Sequence, residues 1–433
     1  MGTLGFSGAR HLVTRTGLGA EWGTIQRYQN LTRQQAIQHL LSNKDHHLPA
    51  RPKVSSWART FGLRNNMRRK NMVMRISKVE GKGLQNWWVK HLLATKSPFL
   101  ERMTLFWHNH FPSSISKTMQ ASMLYDQNLL LRKHALGNFR DMLFAVSKDP
   151  AMLLYLDGYI STKDEPNENF ARELLELFTL GIGHYSENDM REAARAFTGW
   201  GIDDRSGRFI NRQNDHDNGA KTFLGKRGNL TGEDILNRLL AHPRTAETIA
   251  EKMWHEFISV SRPDKRITKQ WANSFRDSDY DIATLLKAVL NSDVFWAKHN
   301  QGALIKSPIE LTIGTLRSLP YSLQSHRNNL AHSLSIMGQE LFNHPSVKGW
   351  SGGKDWVSSQ SLLRRYSILT SLARGSLNER KNRGNIAKKL PQIEPAQMTK
   401  WLLPIKPLQP LPSEPGVQRL VRALVLDPAY QVS

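Results

Sequence analysis

Along most of the chain apolar residues recur every three or four positions and short polar turns interrupt them, a pattern that predicts helices. Thr32-Arg33-Gln34-Gln35 is a capping box: a hydroxyl stands three residues ahead of a side chain that reaches back, opening Ala36–Leu41. Ser186 with Asp189 and Thr231 with Asp234 repeat the signal. Further helices are expected over Gly83–Leu93, Pro98–His110, Gln120–Val146, Pro166–Leu180, Ser186–Phe197, Thr245–Ser259, Ile282–Leu290, Pro308–Leu319, Ser358–Leu372 and Val417–Leu424. Gly181 and Gly183 end the run that closes at Leu180. Strand character is confined to Arg208–Asn211 and Lys221–Leu224, which are expected to pair with each other. Strand and helix do not alternate, so the expected fold is mainly α: a single large helical-bundle-like domain with a small two-stranded β insertion. That domain spans 1–375, with its polar motifs between 101 and 225. Residues 376–433 form a basic, Pro-rich extension, and Leu403–Pro415 is expected to strap the domain.

Composition narrows the chemistry. The 433 residues include 60 Lys+Arg, 37 Asp+Glu and no Cys, giving a net charge of +23. The missing cysteine removes disulfide scaffolds, thiolate metal sites, iron–sulfur clusters and cysteine nucleophiles. Twelve Trp and 16 Phe exclude wholesale disorder. No apolar run approaches the ~18 residues of a membrane span. Met1–Phe6 lacks the basic-then-apolar pattern of a signal peptide, so an extracytoplasmic location would need a leader ahead of this sequence. The charge is uneven. Arg51, Lys53, Arg59, Arg64, Arg68, Arg69, Lys70, Arg75 and Lys78 lie in a stretch without an acid, and Arg374–Lys389 is broken only by Glu379. Such runs hold an anionic polymer or simply solvate a surface. Nucleic acid is not favoured, because no nucleic-acid-binding signature surrounds Trp57 and Phe61.

Three stretches carry candidate chemistry. In Phe106-Trp107-His108-Asn109-His110-Phe111 two imidazoles stand two residues apart, and Pro112 places them at a helix end. Positions i and i+2 of a helix point about 200° apart, so both rings reach one metal only where the helix frays. The competing view makes one of them a hydrogen-bonded core residue. In Pro166–Gly181, Asn167 is an N-cap, and Glu173 and Glu176 are i, i+3 neighbours on one face. A carboxylate pair on a helix facing a histidine-bearing helix is a way to build a metal site or an acid–base pair; a capped surface helix is the plainer alternative. Asp215–Gly225 places His216, Asp217 and Lys221 in a Gly/Asn-rich loop, where polar groups often serve function. No phosphate loop, flavin or nucleotide motif and no Gly-x-Ser-x-Gly elbow is present. The letters HNH do not indicate the nuclease of that name, whose residues are dispersed over a ββα unit.

Taken in order, these stretches resemble a bacterial family known as domain of unknown function 1800. The shared features are Arg15-Thr16-Gly17-Leu18-Gly19, the FWHNHF of Phe106–Phe111, the PNENFARELLELFTLG of Pro166–Gly181, the FTGW of Phe197–Trp200, the HDNGAKTFLG of His216–Gly225 and the VKGWSGGKDW of Val347–Trp356. The resemblance runs from about residue 8 to 375. Gly158 and His344 depart from it, standing where the family often has Asn and Pro. It implies a partner of the domain of unknown function 1501 family, a sulfatase/phosphatase-like group often encoded beside these proteins, and export in many members. It implies no activity.

The residues themselves support two expectations. One is a metal-dependent enzyme, hydrolytic or oxidative, on a glycan or peptide. His110 and Glu173 would hold a divalent Zn, Mn or Fe ion, His108 or Glu176 would act as base, and His216, Asp217 and Lys221 would meet the substrate. The other is a non-catalytic binding or assembly partner, in which the same residues fix helix packing and the basic Arg51–Lys78 region docks an acidic protein or polymer. A metal-free carboxylate glycosidase is a third route, needing two acids ~5–9.5 Å apart across a cleft.

Overall fold

The computed structural model describes residues 2–43, 45, 47–57, 67–319, 330–374, 390–413 and 416–433, without the side chains of 67–70 and 374. Among these the chain is mainly helical, with two small two-stranded sheets. The three capping boxes form as their sequences require, opening Arg33–Ser42, Glu187–Ala196 and Gly232–Ala241. Pro at the first turn starts Pro98–His110, Pro243–Phe257 and Pro308–Ser318, where its missing N–H costs no hydrogen bond.

Two expectations about elements fail for local reasons. Gln120–Val146 is two helices, Ala121–His134 and Phe139–Ser147. The chain turns at Gly137, whose N–H bonds the His134 carbonyl, and Asn138 caps the second helix by accepting from the Asp141 N–H. The two strand segments do not pair with each other. Phe209–Asn211 pairs with Trp200–Ile202, and Lys221–Phe223 with Lys226–Gly228. Leu224 and Gly225 both take positive φ, the geometry of a tight hairpin turn, so the second strand folds straight back.

Helix Pro98–His110 lies at the centre, packed against Ala121–His134. Around it Met67–Ala94 meets Pro308–Ser318 and Leu330–Ile336, and Pro243–Phe257 meets Lys265–Asp277. The C-terminal residues belong to the same packing: Val417–Leu426 lies on Ser359–Arg374, Ile305 bridges Val432, and the Trp401 indole donates to the Ala20 carbonyl. Of the basic runs, Arg59, Arg64 and residues 375–389 lie outside the described residues, as does Phe61. Arg51 pairs with Asp126 at the surface, and the Trp57 indole donates to the Asp204 carbonyl from a buried position. No described helix is long and apolar enough to cross a membrane.

The apolar interior is crossed by a buried ionic network. Glu101 accepts two hydrogen bonds from Arg132, at 2.7 and 2.8 Å, and one from the Trp88 indole at 3.1 Å; His91 Nε2 lies 2.9 Å away. Arg132 also donates to Asn128. Burial alone would raise the Glu101 carboxyl, but the bonds from Arg132 and His91 bring it down to about 2. A carboxylate held this low stabilises the fold above its unfolded pKa of ~4.3, and that contribution is lost as pH falls toward 2. Replacing Glu101 with Gln leaves the Arg132 charge buried and unpaired. We expect Glu101→Gln to lose about 3–5 kcal/mol in urea unfolding at pH 7, with the difference from wild type shrinking between about pH 4.3 and 2.

Candidate functional site

The FWHNHF helix end spends each of its polar groups on a different neighbour. Trp107 donates from its indole to the Ala135 carbonyl at 3.1 Å. His108 accepts from the Phe342 N–H through Nε2 at 3.3 Å, its ring 4.5 Å from His344 and 5.0 Å from Trp88. Asn109 holds Trp350 at both ends, accepting from its N–H at 2.7 Å and donating to its carbonyl at 3.2 Å. Gly349 is required beside it: φ is +76°, and a Cβ there would lie 2.4 Å from Asn109 Oδ1. His110 accepts through Nδ1 from the Lys252 ammonium at 2.8 Å. The two histidines therefore face opposite sides of the helix, as i, i+2 spacing dictates. His344, where the family often has Pro, bonds the Ser113 carbonyl at 3.0 Å and packs 4.1 Å from Trp350.

The second motif continues Glu168–Glu173 into a π-helical turn, Leu174–Thr179, a form frequent at functional sites. Its last carbonyls have no partner of their own. Pro243–Phe257 supplies them from one face, at i, i+4 and i+8. Arg244 bonds the Leu180 carbonyl at 3.1 Å, Thr248 the same carbonyl at 3.2 Å, and Lys252 the Leu177 carbonyl at 2.8 Å. Glu251 accepts from Arg244 at 2.8 and 2.7 Å and holds it in place.

The third motif is a clamp. Asp217 accepts from Arg195 at 2.7 Å, its N–H donates to Thr198 Oγ1, and His216 Nδ1 sits 2.9 Å from the Thr198 carbonyl. The buried Lys221 ammonium bonds the Asp217 and Gly219 carbonyls. Asp189, Glu192 and Arg195 repeat every three residues along Glu187–Ala196 and meet Leu224 N–H, Thr222 N–H and Asp217. Hydrogen bonding to Arg195 depresses the Asp217 carboxyl, and burial lowers the Lys221 ammonium.

What remains accessible converges elsewhere. Glu173 is half-buried, and burial and the neighbouring Glu176 raise its carboxyl, opposed by Lys348 and Arg172. Glu176 accepts from the Tyr185 hydroxyl at 3.3 Å. Burial and Glu173 push the Tyr155 phenol up to about 12, and Lys117 lies 5.6 Å from its ring. Lys117 in turn bonds Asp157 at 2.8 Å, and Asn169 reaches the same carboxylate at 3.5 Å. Asp157 takes a left-handed φ of 58°, unusual for a non-glycine residue and a mark of functional segments. Next to it a Cβ at Gly158 would meet Leu153 at 3.1 Å and Phe170 at 3.5 Å. The structure thus links residues of three segments: Asp157 with Asn169, and Glu173 with Glu176 and Lys348, from the turn at 157, the Pro166–Gly181 motif and the Val347–Trp356 motif. Lys117, Tyr155, Tyr185 and Lys252 carried no motif signal, although the Arg244, Thr248, Lys252 spacing was legible.

The expected metal set does not fit this geometry. His110 Nδ1 lies 2.8 Å from the Lys252 nitrogen, and burial and that lysine hold the imidazole well below its ordinary pKa against a backbone bond at Phe178. The electrostatic neighbours of Glu173 are Glu176, Lys348 and Arg172 rather than His110. Among the described residues no three His, Asp or Glu side chains gather as a group able to hold a metal ion. His108 is buried among aromatic rings, and His216, Asp217 and Lys221 are bonded within their own clamp. A cleft of ≈ 710 Å³ near Tyr28, Thr95 and Arg317 contains none of the candidate residues. Within it Tyr28 is bonded to His39 at 2.6 Å and Glu21 to Arg317 at 2.5 Å.

Removing the Asn109 amide frees both ends of Trp350 and releases the loop that carries Lys348. We expect Asn109→Ala to cost about 1–3 kcal/mol and to make residues 343–353 the first site cut by protease in limited proteolysis, with wild type resistant there.

No curated protein and no solved structure matches the chain. The family described as "Protein of unknown function (DUF1800)" matches residues 11–432, so it runs on through the C-terminal helices beyond residue 375, where the motif resemblance stopped. The chain belongs to that family.

Proposed function

We propose that the protein is a hydrolase acting on a glycan through carboxylate acid–base chemistry at Glu173 and Glu176. One observation carries the reading: a half-buried carboxyl with a raised pKa lies beside a second carboxylate, on a surface assembled from three motifs. Paired acids with divergent environments divide into proton donor and proton acceptor. Glu173, whose carboxyl burial and Glu176 raise, gives its proton to the leaving oxygen as the C–O bond breaks. Glu176, steadied by the Tyr185 hydroxyl, takes a proton from the attacking water. Lys117, Asp157, Asn169 and Lys348 supply donors and acceptors suited to a hydroxyl-rich substrate. Metal dependence finds no donor set among the described residues and enters as one arm of the test.

A second reading, a non-catalytic binding or assembly partner, has its own support. His108, His110, His216, Asp217 and Lys221 are all engaged in internal bonds. In that reading an acidic protein, such as a member of the domain of unknown function 1501 family, or an anionic polymer occupies the basic surface.

Release of reducing ends from a panel of polysaccharides separates the two. The acid–base reading predicts turnover that survives EDTA and falls at high pH as Glu173 loses its proton. Glu173→Gln and Glu176→Gln should each lower the rate by about 10²–10⁴ with Tm unchanged. Turnover preserved in both variants, or abolished by EDTA, contradicts it; tight polymer binding without any hydrolysis favours the second reading.

A further inference from the structure

A second polar cluster, unrelated to the carboxylate pair, lies between the first helix and the C-terminal residues. Arg10 and Lys306 are 4% and 8% exposed and line one small cavity. Among the described residues neither side chain makes a hydrogen bond or an ion pair; Lys306 rests 3.9 Å from the Tyr430 ring centroid, with that phenol bonded to Thr315. Buried cations are normally paired, because leaving a charge in a low-dielectric interior without a partner is costly.

The surroundings worsen the imbalance. Arg15, Arg102 and Arg365 share the electrostatic field of Glu310 with Lys306, and Arg10 acts on both Arg15 and Lys306. Five cations thus stand near two carboxylates, Glu256 and Glu310, and both of those are bonded to Arg102, at 2.9 and 2.6 Å. A further carboxylate at Ser433 would still leave two cations over. Arg15 already donates to four carbonyls, of Phe257, Ile258, Asn300 and Ser433, and so cannot release its partners to Arg10. Burial pushes Lys306 down to about 7 and Arg10 to about 10.

Unused donors face the same space. The Thr14 and Ser433 hydroxyls line the cavity, are buried and have no hydrogen-bond partner. The cavity volume is ≈ 20 Å³, against the ~10–15 Å³ that one water needs on the same measure. That excludes phosphate, sulfate and any organic anion, and leaves room for a single monatomic ion. Glu310 also lines this space, with its carboxylate taken up by Arg102; the two cations, two free hydroxyls and one-atom space beside it suit an anion of that size.

We propose that this cavity binds one chloride ion, held by Arg10 and Lys306 and by the hydroxyls of Thr14 and Ser433. The ion neutralises the excess charge and locks the C-terminal residues onto the first helix.

The test uses the full chain in sodium chloride and in sodium gluconate at equal ionic strength, gluconate being too large to enter. The expected result is a Tm higher by about 1–3 °C in chloride. Crystals grown with bromide should show an anomalous peak between Arg10 and Lys306. Lys306→Met, which keeps the length of the side chain without its charge, should remove the chloride increment. A bromide-soaked wild-type crystal with no peak in the cavity overturns the proposal, whether or not the variant folds. So does an increment undiminished in Lys306→Met.

Discussion

A chain folded as many short helices has many helix ends, and each leaves up to four carbonyls without an intrahelical partner. Here basic side chains supply the missing donors. Arg15 serves the end of Pro243–Phe257, reaching the Phe257 and Ile258 carbonyls. Arg317 serves the end of Met67–Ala94, donating to Leu92, Leu93 and Thr95. Lys252 and Arg244 serve the π-helical turn, Lys221 the loop at Asp217, and Arg365 the Lys306 carbonyl. Apart from those of Lys221, which are local, these bonds join residues far apart in sequence, so satisfying a helix end also fixes which helices are neighbours. Positive charge suits this position twice over, because the helix macrodipole is negative there. Part of the net charge of +23 is therefore structural and lies inside the molecule.

This requirement divides the motifs by depth. The deep members of FWHNHF, of the HDNGAKTFLG loop and of VKGW are taken up in holding segments together. The shallow members interact among themselves, Asn169 with Asp157, and Glu173 with Glu176 and Lys348. Asn109 shows the division within a few residues: it clamps Trp350, and that clamp delivers Lys348 two residues away to Glu173.

The helices were legible where local chemistry decides them. Pro98–His110 begins and ends at the residues its Pro and its apolar rhythm select, and three capping boxes form as written. The break at Gly137 was missed because the apolar pattern continues across it, and only the Asn138 cap marks the new start. Strand pairing was misread because propensity names strands but not partners; the turn at Leu224 and Gly225 sets those. Of the candidate site, the carboxylate pair was visible as an i, i+3 face. The fate of the imidazoles was not, since a half-buried lysine from 142 residues away decides what His110 can do. The i, i+2 spacing of His108 and His110 did carry the essential restriction, that the two rings face different neighbours within a helix.

The most direct test of this account is the unfolding free energy of Arg317→Met. The guanidinium makes three bonds to the carbonyls ending Met67–Ala94 and one ion pair with Glu21. Methionine keeps much of its packing volume and removes every donor. The account predicts a loss of about 2–5 kcal/mol, only partly recovered in Arg317→Lys, because an ammonium cannot span three carbonyls in a fixed fork. A loss within about 0.5 kcal/mol of zero, the range of an ordinary surface substitution, would contradict it.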